Sequence, residues 1–290
     1  MNSVIYNFRR KLQVLAYDVF GAEIMSKLYF LIVLKHRLNL ANPKTFNEKI
    51  QWYKLFYCPQ NSDVILCTDK YRIREYLKQK GLLDYAVPLI SVWNNPREIK
   101  WENLPDRFVI KANHGCAYNI VCSDRTKFNV IEANKKLCKW IREDFGKYNA
   151  EPHYSHIKPV IICEEFLHDE DSSFLTDYKV HCFNGKPCFT LVCSDREQNH
   201  ACYDYYNNSW EKLNYSTTKN KVFERPKFFE KMISVSEIIA KDFPFVRVDF
   251  YETKEKLFIG ELTFVPAGGL DNTITYEADV EIGKMLVLPR

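Results

Sequence analysis

Alternation of apolar and polar positions is sharpest near the C-terminus. Val246, Val248 and Phe250 fall on one side of a period-two pattern, and Arg247 and Asp249 fall on the other. The stretch Leu257 to Phe264 repeats it, with Phe258, Gly260, Leu262 and Phe264 on one face and Glu261 and Thr263 opposite. Thr253-Lys254-Glu255 reads as the turn between two strands. Antiparallel pairing about Lys254 sets Glu261 across from Arg247, with Asp249 one diagonal away at about 7–8 Å between backbones. One face of this hairpin is apolar. The other gathers two carboxylates, a hydroxyl and a guanidinium, a donor set suited to a hard divalent cation and a phosphate.

The upstream pattern mixes helix and strand. Residues 1 to about 60 read as mostly helical, and Thr45 with Glu48 forms a capping box opening a helix through Phe56. A second helix starts near Asp69 and stops at Gly81. Tyr85 to Ile90 is strand-like, Phe108 to Lys111 is a short buried strand, and Asn119 to Cys122 returns antiparallel to it. Helical spacing recurs through Asn134, Leu137, Cys138, Ile141 and Phe145, and again from Arg225 to Asp242. Val160 to Cys163 is a further strand, and Asn184-Gly185 is a hairpin turn between Asp177–Phe183 and Pro187–Cys193. The reading is an α+β chain divided into 1–65, 66–165 and 166–290.

Composition narrows the classes. With 290 residues, 46% hydrophobic, 20 Phe and 18 Tyr, the chain has material for a sizeable core. The net charge of +4 and the lack of a basic run with stacking aromatics give no nucleic-acid signal. Ten cysteines without a CxxC spacing, most of them inside apolar runs, read as reduced buried thiols of a cytoplasmic protein. Arg9-Arg10-Lys11 is not followed by a signal-peptide core. The longest apolar run, Leu28 to Leu34, is too short to span a bilayer. Lys27 and Lys35-His36-Arg37 flank it, which fits a helix packed on the body or one lying on the inner face of a membrane.

Several constellations carry candidate chemistry. Lys111 ends an apolar strand before the loop Asn113 to Asn119, where an amine and backbone amides can meet phosphate oxygens; a lysine snorkelling at a strand end reads equally from this alone. Cys163-Glu164-Glu165-Phe166-Leu167 places two acids between apolar segments, either a link offering polar groups to a base edge or a solvated strand end. Asp177 and Lys179 share a strand face, as ligands for hydroxyls and phosphate or as a surface ion pair. Arg196 is a candidate clamp for a substrate carboxylate. His153 and His156 read as surface or loop residues. Serine-hydrolase, Walker A and HExxH motifs are absent.

The order of these pieces resembles the ATP-grasp superfamily and, more narrowly, the TupA-like ATP-grasp family, named for teichuronopeptide synthesis and associated with bacterial surface-polysaccharide loci. Asn42 to Trp52, Asp69-Lys70-Tyr71-Arg72, Val109 to Gly115 (with His114), Asp177-Tyr178-Lys179, Arg247 to Tyr251 and Gly260 to Phe264 carry the resemblance. It implies two α+β subdomains sandwiching ATP, behind a helical N-terminal extension. By position, Lys70, Lys111 and the His114-Gly115 loop would meet the phosphates. Glu164, Glu165, Phe166 and Leu167 would form the adenine hinge, Asp177 would meet ribose, and Lys179 the γ-phosphate. Asp249, Glu261 and Thr263 would hold Mg²⁺, and Arg247 would stabilise an acyl phosphate and its adduct. Two departures stand out: Thr263 where many relatives carry Asn, and Cys116-Ala117-Tyr118 in place of a Ser/Gly-rich loop.

The resemblance implies an ATP-dependent carboxylate–amine ligase joining an amino acid to a uronic acid of a surface polysaccharide or its precursor. A sugar kinase on the same fold, a polysaccharide glycosyltransferase and a non-catalytic nucleotide-binding protein are the alternatives.

Overall fold

A computed structural model describes residues 3–168, 175–194, 202–218 and 221–289. Two antiparallel sheets organise it. The smaller has the order β1-β4-β2-β3, built from β1 (Leu89–Trp93), β2 (Phe108–Ala112), β3 (Asn119–Cys122) and β4 (Ile161–Glu165). The larger has the order β10-β9-β5-β6-β7-β8, built from β5 (Asp177–Phe183), β6 (Lys186–Ser194), β7 (Cys202–Asn207), β8 (Lys212–Leu213), β9 (Phe245–Glu252) and β10 (Leu257–Thr263). The β5–β6 connection is the expected Asn-Gly turn, with φ of 49° at Asn184 and 85° at Gly185.

Helices cover the sheets where the pattern supplies an apolar face. Helix α6 (Phe229–Ala240) lays Met232, Val235 and Ile239 on the larger sheet, in one core with Val180, Val248 and Phe250. Helix α5 (Val130–Trp140) adds Leu137 to the core of the smaller sheet, beside Phe108, Ile110 and Ile161. It ends earlier than its periodicity suggested, and Phe145 belongs to a separate 3₁₀ turn. Helix α2 (Phe46–Trp52) opens on the Thr45/Glu48 capping box, as expected. It packs against α7 (Tyr276–Met285), an element the sequence reading did not identify. Helices α3 (Ser62–Thr68) and α4 (Ile73–Gln79) lend Val64, Cys67, Ile73 and Leu77 to the core of the larger sheet. The N-terminal helix α1 (Ser3–Leu34) breaks at Gly21, where φ is 76° and ψ is 170°.

One register expectation is corrected. Glu261 pairs with Asp249, and Thr263 pairs with Arg247; Glu261 is not opposite Arg247. The register shifts between Ile259 and Glu261, so Gly260 is a bulge residue. The extra residue reverses the alternation. Ile259 and Leu262 both face the core, whereas Phe258 lies on the other face across from Tyr251. A Cβ at Gly260 would stand 2.6 Å from the Tyr251 ring, which explains why the bulge carries glycine.

Gly283 tests the α2–α7 contact. A Cβ there would meet Lys44 O at 2.3 Å and Phe46 N at 2.8 Å, both backbone atoms that cannot rotate away. Gly283→Ala is expected to lower stability by about 1–3 kcal/mol, read as a drop in the denaturation midpoint at unchanged m-value. A midpoint equal to wild type would show that the two helices are not held this closely.

Candidate active site

The polar face of the larger sheet is built by register. Lys179 on β5 lies directly opposite Asp249 on β9, and Asp249 lies opposite Glu261 on β10. The face they share is the one left over when α6 covers the other. Lys179 Nζ donates to Asp249 Oδ2 at 2.6 Å and lies 3.3 Å from Asp177 Oδ2. Arg247 Nε and Nη2 donate to Asp249 Oδ1 and Oδ2, each at 2.6 Å. The same Nη2 donates to Thr263 Oγ1 at 3.2 Å and sits 3.9 Å from Glu261 Oε1. Thr263 in turn donates to Glu261 Oε1 at 3.3 Å. Lys70 Nζ stands 3.4 Å from Glu261 Oε2 and donates to Gly115 O at 3.0 Å.

These contacts set protonation. Burial acts to raise the Asp249 pKa, but Arg247 and Lys179 together outweigh it and hold the carboxyl below its ordinary range. Burial acts likewise on Glu261, where Lys70 leads the cations that bring it down. Both groups are therefore ionised at neutral pH. His181, next along the same face of β5, is held neutral by burial, reinforced by Arg247.

The smaller sheet supplies the facing wall. Glu164 is opposite Val109 on β2, hence diagonal to Lys111 on the same face. Lys111 Nζ donates to Glu164 Oε2 and Arg74 Nη2 to Glu164 Oε1, each at 2.5 Å. Burial acts to raise the Glu164 pKa, and Lys111 and Arg74 bring it below the ordinary value. Each oxygen of Glu164 thus accepts from a cation of the protein. Its role in this arrangement is to fix Lys111.

The loop after β2 is braced rather than open. Asn113 Nδ2 donates to Asp69 Oδ1 at 2.9 Å, and its Oδ1 accepts from Val160 N at 2.7 Å. His114 is 2% exposed, its Nε2 bonded to Trp140 O at 3.0 Å, so the ring packs under the loop instead of reaching out of it. Tyr118 stacks on Trp140 at 5.0 Å and donates to Glu143. A Cβ at Gly115 would meet the Tyr118 ring at 2.6 Å, so glycine serves close packing there.

Between the walls lies a cavity of about 530 Å³ lined by Lys70, Lys111, Asp177, Lys179, Arg247 and Glu261, with Cys116 to Asn119 along one side. A slightly larger hollow of about 580 Å³ opens near Asn184 and Phe243, remote from this charged face. Asp249 and Thr263 support the cavity from behind its lining. Glu165, Phe166 and Leu167 lie outside the lining, at the end of β4. Arg196 falls outside the described residues. His153 is buried, not a surface residue as its surroundings in the sequence suggested.

Some contributors escaped the sequence reading. Tyr251 lines the cavity and follows the same alternation as Arg247 and Asp249, so period two could have found it. Asp271 and Thr273 also line it, from an Asx-type turn in which Asp271 Oδ1 accepts from Thr273 N at 2.9 Å. Lys54 had no signal at all. Fully buried, it donates to Asn149 O at 3.3 Å and Gly268 O at 3.2 Å; burial pulls its pKa down and pushes that of nearby Glu151 up, each partly restored by the other.

Two α+β sheets facing each other across a cleft lined by lysines, an arginine and acids make an ATP-grasp fold. A family model described as TupA-like ATP-grasp matches residues 48–287, and the chain belongs to that family. Among solved structures, a D-alanine–D-alanine ligase from Bacillus anthracis complexed with ATP is similar at 13% identity and a TM-score of 0.47, over 76% of this chain and 61% of that one. The Helicobacter pylori D-alanine–D-alanine ligase is similar at 15% identity and a TM-score of 0.45, over 85% of this chain and 70% of that one. The ATP-grasp ligase PsnB with its minimal precursor, Mg and ADP is similar at 10% identity and a TM-score of 0.39, over 75% and 57%. The chain thus spans about three fifths of the length of the Bacillus anthracis ligase. No curated protein matches it.

Glu164 is the place to test the facing wall. In Glu164→Gln the charges of Lys111 and Arg74 lose their common counter-ion, and stability is expected to fall by about 2–4 kcal/mol at neutral pH. The pH sign follows from the depressed folded pKa. The contribution is complete above the unfolded carboxylate value of about 4.3 and is lost as pH falls through the folded value. Denaturation of wild type and variant should therefore differ at neutral pH and converge in acid. A difference independent of pH would mean that the ion pairs do not stabilise the fold.

Proposed function

We propose that the protein is an ATP-dependent, ADP-forming carboxylate–amine ligase. The reading is carried by one observation: Lys70, Lys111, Lys179 and Arg247 converge on a single cavity above the paired acids Asp249 and Glu261. Four cations suit a polyphosphate and a developing acyl phosphate. The oxygens of Asp249, Thr263 and Glu261 all lie within 3.9 Å of one cationic nitrogen, Arg247 Nη2, so the donor set fits a hard cation. Among the described residues no three His, Cys, Asp or Glu side chains form a complete metal cage. Mg²⁺ keeps water and phosphate oxygens among its ligands and needs only one or two protein carboxylates. Bound there, Mg²⁺ would neutralise charge on the transferring phosphoryl group.

The residues then divide the work. Lys70 and Lys111 hold the phosphates, with Glu164 orienting Lys111. Asp177 accepts from the ribose hydroxyls, and the backbone of Glu165 to Leu167 borders the adenine. A substrate carboxylate oxygen attacks the γ-phosphorus, the bond to the bridging oxygen breaks, and ADP leaves. Lys179 and Arg247 offset charge on the acyl phosphate. An amine then attacks the acyl carbon, loses a proton to solvent, and expels phosphate to leave an amide.

The family's association with surface-polysaccharide loci supports an amino acid as the amine and a uronic acid of a polysaccharide or precursor as the carboxylate. Ten free cysteines, six of them buried, are in keeping with a reducing cytoplasm, where ATP is available.

Hydroxylamine in place of the amine provides the test. With ATP, Mg²⁺ and a uronate, ADP release should be accompanied by a hydroxamate. ADP release with a stable phosphorylated sugar and no hydroxamate would establish a kinase instead. Glu261→Gln should reduce turnover by about 10²-fold or more while nucleotide affinity stays within a few-fold, because it removes a charge needed most in the transition state. Equal losses in binding and turnover would place Glu261 in ground-state binding only.

A further inference from the structure

The N-terminal hairpin carries a surface that the cleft does not use. Gln13 Nε2 and Tyr29 Oη approach to 3.5 Å although they are 16 residues apart. In a straight helix that separation is about 24 Å. The break at Gly21 therefore folds α1 back on itself as two short antiparallel arms.

One side of the first arm is anchored to the body. The Arg10 guanidinium lies 4.1 Å from the Tyr148 ring centroid, Gln13 donates to Tyr148 O at 3.0 Å, and Asp18 pairs with Lys147 at 2.6 Å. In the second arm Met25 and Phe30 are buried. The outer side is apolar as well. Phe8, Leu12, Leu15 and Val19, spaced four, three and four apart, form one stripe on the first arm, and Leu28 and Leu31 are exposed on the second. These six side chains are 46–65% exposed. Single exposed apolar residues need no explanation, but a contiguous face of this kind marks an interaction surface.

Charge identifies what covers it. Residues 1–37 hold six of the 41 basic residues and two of the 37 acidic ones. Everything beyond Arg37 carries 35 of each, so the entire net charge of +4 belongs to the hairpin together with Lys35 and Arg37 just after it. Both acids there are occupied, Asp18 by Lys147 and Glu23 by Lys27. A second copy laid on this face would bring Arg9 and Lys11 against like charges with no unpaired acid to offset them. An anionic lipid surface answers both features, taking the apolar stripe at the acyl boundary and the cations among its headgroups. Among the described residues no helix is long and apolar enough to cross a membrane, so the hairpin lies on the surface and does not span it.

We propose that this hairpin docks the protein on an anionic membrane surface. The test is flotation of the full chain with phosphatidylcholine vesicles, with and without phosphatidylserine. Binding should require phosphatidylserine and weaken as salt rises. Leu12→Glu with Leu15→Glu, both exposed and so neutral for folding, should lower partitioning at least about tenfold while the thermal midpoint is unchanged. Arg9→Glu with Lys11→Glu should do the same for the phosphatidylserine-dependent part. Two results overturn the proposal. One is absence of lipid binding in wild type. The other is a dimer in solution that vesicles do not capture and that the leucine substitutions dissociate, which would make the face an interface between copies.

Discussion

Asp249 is almost fully buried and still charged, and the site depends on that fact. A carboxylate in such a place ordinarily takes a proton, because burial penalises its ionised form. Here Lys179 arrives from the neighbouring strand and Arg247 from two residues away, each bringing nitrogens to 2.6 Å. The arrangement is possible because α6 closes the opposite face of the sheet. With Val180, Val248 and Phe250 committed to that core, the intervening residues have no other side on which to point. The core thus dictates where the charges gather, and the charges keep one another ionised.

A short segment then ties this face to the other wall. Asp69 Oδ1 accepts from Tyr71 N at 2.8 Å and from Asn113 Nδ2 at 2.9 Å, so it caps its own turn and holds the loop after β2. Lys70 reaches the larger sheet at Glu261 and also Gly115 of that loop. Arg74, one turn on, reaches Glu164 on the smaller sheet. Residues 69 to 74 therefore contact both walls, the larger sheet through Lys70 and the smaller through Arg74, while α4 is anchored in the larger core. The segment thus joins the two halves of the cleft through side-chain contacts on each.

Much of this was legible in the chain, and the limits have physical causes. Period two correctly placed Arg247, Asp249, Glu261 and Thr263 on one face, because a sheet with one buried side enforces alternation. It misjudged the register because the turn is centred between Lys254 and Glu255 instead of on Lys254, and the bulge at Gly260 adds one residue more. Lys111 and Glu164 were singled out separately, but their pairing follows from β2 lying beside β4, a long-range fact that local pattern does not contain. His114 looked like a loop residue because glycine and asparagine surround it, yet the stacked Tyr118 and Trp140 draw it inward. Lys54 is the plainest failure. A lysine on a helix reads as solvated, and nothing nearby in sequence announces the carbonyls of Asn149 and Gly268 that surround it.

The bulge also bears on what the site is for. Without it, the register set by the turn, Leu257 with Glu252 and Ile259 with Phe250, would carry on to set Gly260 against Asp249 and Glu261 against Val248, on the face committed to the core. With it, Glu261 faces Asp249, and two carboxylates stand opposite each other on adjacent strands, which is unfavourable unless positive charge lies between them. Arg247, Lys179 and Lys70 supply that charge in this structure, from three different directions. Gly260 gives up a side chain and makes room for the Tyr251 ring to sustain the arrangement. The bulge thus brings Glu261 onto the charged face beside Asp249, with the Tyr251 ring packed against Gly260.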